Sequence, residues 1–542
     1  MPDRVVSLVL LLLLAGAVTV GGFSALCRSE YATGWDGYYY LVQVQSLSNT
    51  GEMHSPEYSL VYVPLLAFHA LTGDYLASFR LSAVLIKLAF VLAVFSLSRA
   101  MVRQVRGSGR EAFLTALTAA ALSAASPSLN YFFTQFPKNL LGFALFLFFA
   151  ASVMGTARYR REREPSSPGT GLLLRSSGAA ALFLMAFFTH RYSAVLSTLF
   201  LVLYLVPVLL RRLRRMWDGD GRGHGRLLVS ALVAAALLIS VLFVADRLPL
   251  APSVQDLERV TGDLSSEPIL VPLAFVQGFG LFRLTVPWLA EIVLAAALPL
   301  ATCILLLFGS RFRTFLAGRG YYALLLLSLV GLFPFLRFSL TGLSYRLFFG
   351  TMLLFPVVCV PYLNLATKKM LRVGRDGSET RSAGLPVLVY LCMLALSFWT
   401  GRSYRPLLHD PPYEYYQELS DEVAGALSGV ECVLLIAHRS LAEMITFRHE
   451  MDALPWAPEE YFERDGVWRV TAGIMRDEFS YYIGPLMAER YFTRLRGDYG
   501  LIREDCWEAF LDSIAGDPVM MEAVDTWRNP MEQRPAYLVR NR

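Results

Sequence analysis

An aspartate follows the first apolar run of the chain, in the sequence GWDGYYYL at residues 34–41. A carboxylate within hydrogen-bond reach of an attacking hydroxyl can take its proton, so Asp36 is a candidate general base. The pattern from Asp36 to Leu47 predicts a helix with apolar and aromatic residues on one side, and its N-terminal end favours a negative charge. Tyr39 and Tyr40 suit the headgroup layer and are candidate substrate-binding residues. The alternative is that Asp36 only caps the helix and the tyrosines only form an interfacial belt.

The elements that must position this carboxylate are membrane spans. Of the 542 residues, 55% are hydrophobic and 17% are charged, whereas a soluble protein has about 25% charged residues. The first apolar run is too long for the core of a signal peptide, so we expect a retained helix. Apolar runs predict about eleven spans, at residues 5–26, 80–98, 111–127, 138–155, 178–190, 193–210, 227–245, 286–308, 320–337, 346–364 and 384–400.

Alternate loops carry the positive charge, which predicts the orientation of the spans. Arginine and lysine cluster at residues 99–110, 158–163, 211–215, 311–319 and 368–375. The positive-inside rule places these loops and the N-terminus in the cytoplasm of a cell membrane protein. With an odd number of spans, the terminal segment lies outside. ATP and nucleotide sugars are absent from that compartment, so a donor there must be carried by lipid or already exported.

The stretch from WDGYYYLVQVQ to TGDYLASFRLSAVL, at residues 35–85, resembles the opening of the GT-C glycosyltransferases. These polytopic enzymes use polyprenyl-phosphate sugars, and they include protein O-mannosyltransferases and aminoarabinose transferases. The matching features are an acid after the first span, an aromatic helix, a glycine, a proline before the second span and an RL pair at its start. In this chain they are Asp36, Tyr38 to Tyr40, Gly51, Pro64 and Arg80 with Leu81. The resemblance implies a lipid-linked sugar donor and supports Asp36 as the base.

One feature departs from the family pattern. The family often has two adjacent acids at this point, and here Gly37 follows Asp36. A partner acid must then come from elsewhere or be absent. Glu52, Glu57 and Asp74 are the candidates, and Glu57 is the one we favour. The departure leaves a requirement for a metal open, with a divalent cation as the candidate cofactor.

Transfer from such a donor needs cations that stabilise the departing lipid phosphate. The resemblance suggests this role for Lys138, in NYFFTQFPKNLLGF, and for Arg346, in GLSYRLFFG. Arg191 and Arg337, also at predicted outer span ends, are further candidates. The alternative for each residue is snorkelling to the headgroups. His190 is a candidate donor to phosphate or sugar, or else a packed histidine that caps a short span.

Three other features carry charge. Lys87 and Glu291 lie inside apolar runs, where intramembrane charges usually face the bundle interior, and we expect structural pairing. The predicted outer loop 246–285 is acidic without the spacing of a calcium loop. It is either a lid over a cavity or a solvated loop with no special role.

The terminal segment, residues 401–542, has the composition of a separate α/β domain. VECVLLIAH predicts a strand followed by the helix RSLAEMITFRHE, and GVWRVTAGI and REDCWEAFLDSIAG predict a second strand and helix. Cys432 and Cys506 are candidates for a disulfide if the domain is extracytoplasmic. Oligosaccharyltransferase catalytic subunits also carry an outer C-terminal domain, but their WWDYG sequence is missing here. This argues against that branch.

Together these patterns predict a polytopic α-helical membrane protein of GT-C type with a C-terminal extracytoplasmic α/β domain. The predicted domains are residues 1–400, with outer loops 27–79 and 246–285, and residues 401–542. The predicted function is a glycosyltransferase that moves a hexosyl or pentosyl group from a polyprenyl-phosphate donor to a glycan, lipid or protein. The expected partners are this donor and membrane lipid, without nucleic acid. The alternative is a transporter or lipid flippase of envelope glycan precursors.

Overall fold

The structure is a computed structural model of the 542-residue chain. It describes residues 2–34, 36–54, 59–104, 109–162, 170–217, 286–308, 319–332, 350–360, 390–397, 399, 413–426, 434–437, 439–455, 499–503, 521–528 and 535–541.

The described part of the chain is mainly helical. We number its helices α1 Pro2–Leu26, α2 Gly37–Thr50, α3 Tyr62–Thr72, α4 Tyr75–Gln104, α5 Gly109–Ala124, α6 Pro127–Gln135, α7 Pro137–Glu162, α8 Thr170–Thr189, α9 Arg191–Trp217, α10 Val286–Phe308, α11 Arg319–Leu332, α12 Gly350–Val360, α13 Tyr413–Ala426 and α14 Arg439–His449. Residues 390–397 are also helical.

Four of the described helices are long and apolar enough to cross a membrane. These spans are Val5–Leu26, Tyr75–Gln104, Pro137–Tyr159 and Val286–Ile304. A fifth is present if α5 and α6, which are bent by 61°, form one broken span. The described residues therefore belong to a multi-pass helical membrane protein, but they do not confirm the predicted count of about eleven.

The remaining predicted spans fall into three groups. Four of them, at 178–190, 193–210, 320–337 and 346–364, coincide at least in part with shorter apolar helices in α8, α9, α11 and α12. The predicted span 384–400 is described only at residues 390–397 and 399, which are helical. The predicted span 227–245 lies outside the described residues. The orientation of the termini stays a prediction.

The chain divides into two compact units. The first comprises residues 1–28, 57–72 and 80–408, and the second comprises residues 29–56, 73–79 and 409–542. The segment around Asp36 therefore belongs to the same unit as the terminal segment, although almost 400 residues separate them in the sequence.

The second unit contains a five-stranded sheet with the strand order β2-β1-β3-β5-β4. Strand β1 is parallel to β2 and β3, whereas β5 is antiparallel to β3 and β4. Helix α14 connects β1 to β2, as expected for a crossover between parallel strands. The strands are β1 Leu434–Ala437, β2 Asp452–Pro455, β3 Tyr499–Arg503, β4 Met521–Arg528 and β5 Pro535–Asn541.

Two of the four elements predicted for the terminal segment can be compared with the structure. The strand predicted in VECVLLIAH contains β1, and the helix predicted in RSLAEMITFRHE contains α14. The strand GVWRVTAGI, Cys432 and Cys506 lie outside the described residues, as does the helix REDCWEAFLDSIAG except for its first residue, Arg503, which ends β3. The extracytoplasmic location of this segment stays a prediction.

Candidate active site

Asp36 lies at the N-cap position of α2, which runs from Gly37 to Thr50. The helix predicted from Asp36 to Leu47 is therefore confirmed and ends three residues later, where Gly51 adopts a left-handed conformation with φ of 77°. The backbone of Asp36 has φ −99° and ψ 6°, outside the extended region usual for an N-cap. Its carboxylate makes no capping hydrogen bond. The alternative role of Asp36, as a cap alone, is therefore not what the geometry shows.

Asp74 shows what a capping aspartate looks like in the same unit. Its Oδ1 accepts from the backbone N–H of Leu76 at 2.8 Å and of Ala77 at 3.1 Å, at the start of α4. These bonds satisfy donors that would otherwise lack a partner at the helix start. Asp74 therefore has a structural task, which weakens it as a partner acid. Glu52 is exposed just after α2, and Glu57 lies outside the described residues.

Two glycines shape the turn that carries Asp36. Gly34 has φ of 87°, a conformation that glycine adopts without penalty. The N–H of Gly37 donates to the carbonyl of Gly34 at 3.0 Å and closes the turn. A Cβ at Gly37 would lie 2.7 Å from the carbonyl oxygen of Ala32, so a larger residue would displace the backbone. The glycine that replaces the second acid of the family pattern is therefore required by this turn.

The tyrosines after Asp36 differ in accessibility. The ring of Tyr40 is 3% exposed, and its centroid lies 6.1 Å from that of Phe79. Tyr39 is half-buried and meets Tyr40 edge to face at 5.8 Å. Tyr40 thus packs inside the unit, and Tyr39 has the ring surface that a substrate could contact. The substrate-binding roles of both stay predictions.

Helix α14 of the terminal segment packs against α2. The ring of Phe447 meets Tyr38 at 5.8 Å and Tyr75 at 5.9 Å, both edge to face. The carbonyl of Phe447 accepts from the side-chain amide of Gln45 at 3.4 Å. Tyr38 and Gln45 are two helical turns apart, so the contact with α14 extends along about 10 Å of α2. Sequence reasoning missed Phe447, because no local pattern around it points to α2.

In the first unit, Lys138 is the second residue of α7, and α7 begins two residues after α6 ends. Phe136 separates the two helices, and its N–H donates to Phe132 at 2.8 Å while its carbonyl accepts from Leu140 at 3.0 Å. A lysine is unfavourable near the positive end of a helix dipole, whereas an anion there is stabilised by the dipole and by the lysine together. The role of Lys138 in binding the donor phosphate stays a prediction.

His190 lies between α8 and α9, and it is 7% exposed. Its Nδ1 accepts from the backbone N–H of Tyr192 at 3.2 Å, which caps the start of α9. His190 therefore caps the helix that follows it, and its role toward phosphate or sugar stays a prediction. Because Nδ1 is the acceptor, the neutral ring carries its proton on Nε2. Arg191 is the first residue of α9, and its side chain lies outside the described residues.

Close packing brings the start of α7 against the junction of α8 and α9. A Cβ at Gly142 would lie 2.6 Å from the hydroxyl of Ser193 and 3.2 Å from the Cβ of His190. Lys138 lies four residues before Gly142 and therefore on the same face of α7. The first unit thus places Lys138 and His190 on neighbouring helix starts. Ser59 also reaches this junction, because its hydroxyl donates to the carbonyl of Thr189 at 2.7 Å.

The lysine inside the membrane is paired with α6. Lys87, in α4, is 1% exposed and donates from Nζ to the side-chain oxygen of Asn130 at 2.7 Å. The same Nζ lies 4.3 Å from the centre of the Phe133 ring, a cation–π contact. Lys87 therefore holds the middle of α6, and its predicted structural pairing is confirmed.

The glutamate inside the membrane is paired with the start of α6. Glu291, in α10, accepts from the hydroxyl of Ser126 and, at 2.6 Å and 3.1 Å, from the hydroxyl and N–H of Ser128. The hydroxyl of Ser126 also accepts from the N–H of Leu129 at 3.0 Å, as the N-cap of α6. A carboxylate at a helix N-terminus is favourable. Glu291 thus stabilises the 61° break between α5 and α6, and its predicted pairing is confirmed.

Several predicted site residues cannot be placed. Glu57, Arg337 and Arg346 lie outside the described residues, as does the acidic loop 246–285. Among the residues that the structure describes, no group of three or more His, Cys, Asp or Glu side chains is arranged to hold a metal ion. The phosphate-binding roles of Lys138, Arg191, Arg337 and Arg346 and the substrate-binding role of His190 therefore stay predictions.

Comparison with solved structures finds proteins with a similar fold. The archaeal oligosaccharyltransferase AglB from Archaeoglobus fulgidus, in complex with an inhibitory peptide and a dolichol-phosphate, is 12% identical over 99% of this chain and 74% of its own, with a TM-score of 0.56. The apo form of the Archaeoglobus fulgidus oligosaccharyltransferase is 11% identical over 91% and 69%, also with a TM-score of 0.56. ArnT from Cupriavidus metallidurans is 13% identical over 97% of both chains, with a TM-score of 0.49.

No protein-family model and no curated protein matches the chain. The similarity to the archaeal oligosaccharyltransferase confirms the resemblance to GT-C proteins as a likeness of fold. Fold alone does not define an activity, so the function has to be argued from the side chains.

Proposed function

We propose that this protein is an integral-membrane glycosyltransferase that moves a sugar from a polyprenyl-phosphate donor to an acceptor on the extracytoplasmic face. The observation that carries the proposal is Asp36, a carboxylate at the start of a helix that makes no capping hydrogen bond. Asp74 occupies the same kind of position in the same unit and caps its helix with two. The side chain of Asp36 therefore does not serve to cap α2, which supports a role in the reaction.

In the proposed reaction, Asp36 accepts the proton of the acceptor hydroxyl as that oxygen attacks the anomeric carbon. The bond between the anomeric carbon and the phosphate oxygen breaks, and the lipid phosphate leaves with the bonding electron pair. The proton on Asp36 is then released to water. The hexosyl or pentosyl nature of the sugar and the class of the acceptor are open parts of the proposal.

The departing phosphate needs positive charge and hydrogen-bond donors. We assign this role to Lys138, at the start of α7, and to His190, whose Cβ lies near Gly142 of the same helix. Arg191, Arg337 and Arg346 are proposed to add further charge. The archaeal oligosaccharyltransferase of similar fold binds a dolichol-phosphate, which supports a lipid phosphate as the ligand. The chain lacks WWDYG, so we do not extend the likeness to a peptide acceptor.

The test compares two matched aspartate variants in the purified protein, with a panel of polyprenyl-phosphate sugars as donors. Asp36→Asn should lower turnover at least about a hundredfold, the usual range for loss of a general base, while donor binding is retained. Asp74→Asn should keep wild-type turnover, because asparagine is also a good helix cap. Equal turnover in Asp36→Asn and wild type would remove the proposal and favour a transporter or flippase.

A divalent cation is the open cofactor in this proposal. If turnover survives chelation, Lys138 and its neighbours are sufficient to stabilise the leaving phosphate. If chelation abolishes turnover and added Mg²⁺ or Mn²⁺ restores it, the cation belongs to the reaction, because hard cations bind carboxylate and phosphate oxygens. Repeating the measurement with Asp36→Asn determines whether this carboxylate contributes to the cation's affinity.

A further inference from the structure

Tyr413, the first residue of α13 in the terminal segment, contacts the chain on both sides of Asp36. Its hydroxyl donates to the carbonyl of Gly34, two residues before Asp36. Its ring stacks on Tyr31 at 5.5 Å with an interplanar angle of 25°, and it lies 5.8 Å from the ring of Tyr38. The side chain is 6% exposed. One buried tyrosine therefore meets three residues of the segment that carries the candidate base.

The hydrogen bond falls on the carbonyl that closes the turn. The oxygen of Gly34 accepts both from the N–H of Gly37 and from the hydroxyl of Tyr413. A carbonyl oxygen has two lone pairs, so both are used here. The backbone of Asp36 lies between the two ends of this turn, and its direction depends on how firmly the Gly34 carbonyl is held.

We propose that Tyr413 is a positioning residue, which fixes the direction of Asp36 through the carbonyl of Gly34, so that the terminal segment forms part of the catalytic unit. This inference rests on the proposed function of Asp36. It assigns a task to the terminal segment.

The hydroxyl distinguishes positioning from packing. A tyrosine that served only to fill space between Tyr31 and Tyr38 would be replaced by phenylalanine with little effect, because the ring contacts remain. A positioning role depends on the hydrogen bond. Misplacement of a catalytic group lowers the rate of the chemical step more than it lowers binding of the donor.

Tyr413→Phe is the decisive variant. We expect kcat to fall about tenfold, the factor that corresponds to the loss of one hydrogen bond, with KM for the donor unchanged within about twofold. Tyr416→Phe removes a hydroxyl one turn further along α13 and is the matched control, expected to keep both constants. A Tyr413→Phe variant with wild-type kcat, or one in which KM rises and kcat does not change, would overturn the inference.

Hydrogen exchange separates this inference from the proposed function. Amide exchange in the peptide around residues 30–41 should be about fivefold faster in Tyr413→Phe and unchanged in Tyr416→Phe, because the turn is held less firmly. If the wild-type protein shows no turnover with any donor, the proposed function fails, but exchange still reports on the turn. Equal exchange in Tyr413→Phe and wild type would overturn the inference whatever the activity.

Discussion

Helices α2 and α6 each lie next to a candidate site residue: α2 follows Asp36, and α6 precedes Lys138. Different kinds of contact fix the two helices in place. Helix α6 leads to Lys138 and is held by two buried charges, Lys87 and Glu291, from α4 and α10. Helix α2 begins after Asp36 and is held by aromatic rings and by the Gln45 bond to α14. The first arrangement is polar inside an apolar bundle, and the second is largely apolar.

The polar contacts of α6 have a physical reason. Within a membrane bundle, hydrophobic contact does not distinguish a helix from lipid, so a bent helix depends on polar bonds for its position. In the second unit, the rings of Tyr38 and Phe447 contribute buried area and an edge-to-face contact. Removing the carboxylate of Glu291, which accepts hydrogen bonds from three donors, should therefore cost more than removing one ring. Four predictions test this ranking.

The largest effect is expected at Glu291. Glu291→Ala leaves the hydroxyls of Ser126 and Ser128 and one N–H without their acceptor. Each buried donor without an acceptor costs about 1–3 kcal/mol, so the free energy of unfolding should fall by about 3–5 kcal/mol. Glu291→Gln keeps an acceptor oxygen and should cost about 1–2 kcal/mol. Thermal unfolding in detergent measures both. Wild-type stability in Glu291→Ala would show that the break at α6 is held by packing.

The next effect is a dependence of stability on high pH. Burial raises the pKa of Tyr38 to about 12, with the second unit's Arg448 lowering it and Tyr31 raising it. The folded pKa is above the unfolded value of about 10, so the stabilisation is complete below pH 10 and is lost as pH rises to 12. We expect a loss of about 2–3 kcal/mol across this window. In Tyr38→Phe this part of the pH dependence should vanish, as measured by unfolding at each pH; an unchanged profile would contradict the assignment.

Removal of the Phe447 ring should have a smaller effect. Phe447 is half-buried, so Phe447→Ala should cost about 2 kcal/mol, below the 3–5 kcal/mol of a fully buried ring. Phe447→Leu, which keeps most of the apolar contact, is the control and should cost under about 1.5 kcal/mol. Denaturant unfolding followed by tyrosine fluorescence reports the change. A cost for Phe447→Ala above that of Glu291→Ala would reverse the ranking.

The smallest net effect is expected when both partners of a polar pair are replaced. Lys87→Met alone leaves the side-chain oxygen of Asn130 unsatisfied and should cost about 1–3 kcal/mol. The double variant Lys87→Met/Asn130→Leu removes both polar groups and should recover most of this loss, because a well-packed apolar pair often replaces a buried polar one. Unfolding of Lys87→Met, Asn130→Leu and the double variant gives the coupling energy between the two side chains. A double variant less stable than Lys87→Met would show that Asn130 contributes to stability beyond its hydrogen bond with Lys87.

The sequence predicted those features that depend on neighbouring residues. The carboxylate at the start of α2, the helix itself, the first elements of the terminal segment and the long apolar spans all follow from local spacing, because helix and strand periods are encoded in consecutive residues. It also predicted that Lys87 and Glu291 would be paired, because an unpaired charge in a bundle is too costly.

The sequence by itself thus determined the class of the protein, the helix that follows Asp36 and the need for partners at buried charges. Only the tertiary structure decided who those partners are: Asn130 for Lys87, Ser126 and Ser128 for Glu291, and Tyr413 for the turn at Gly34. The physical reason is that the same local sequence pattern is compatible with many different partners from distant parts of the chain. The choice among them depends on packing between residues that are up to about 400 positions apart.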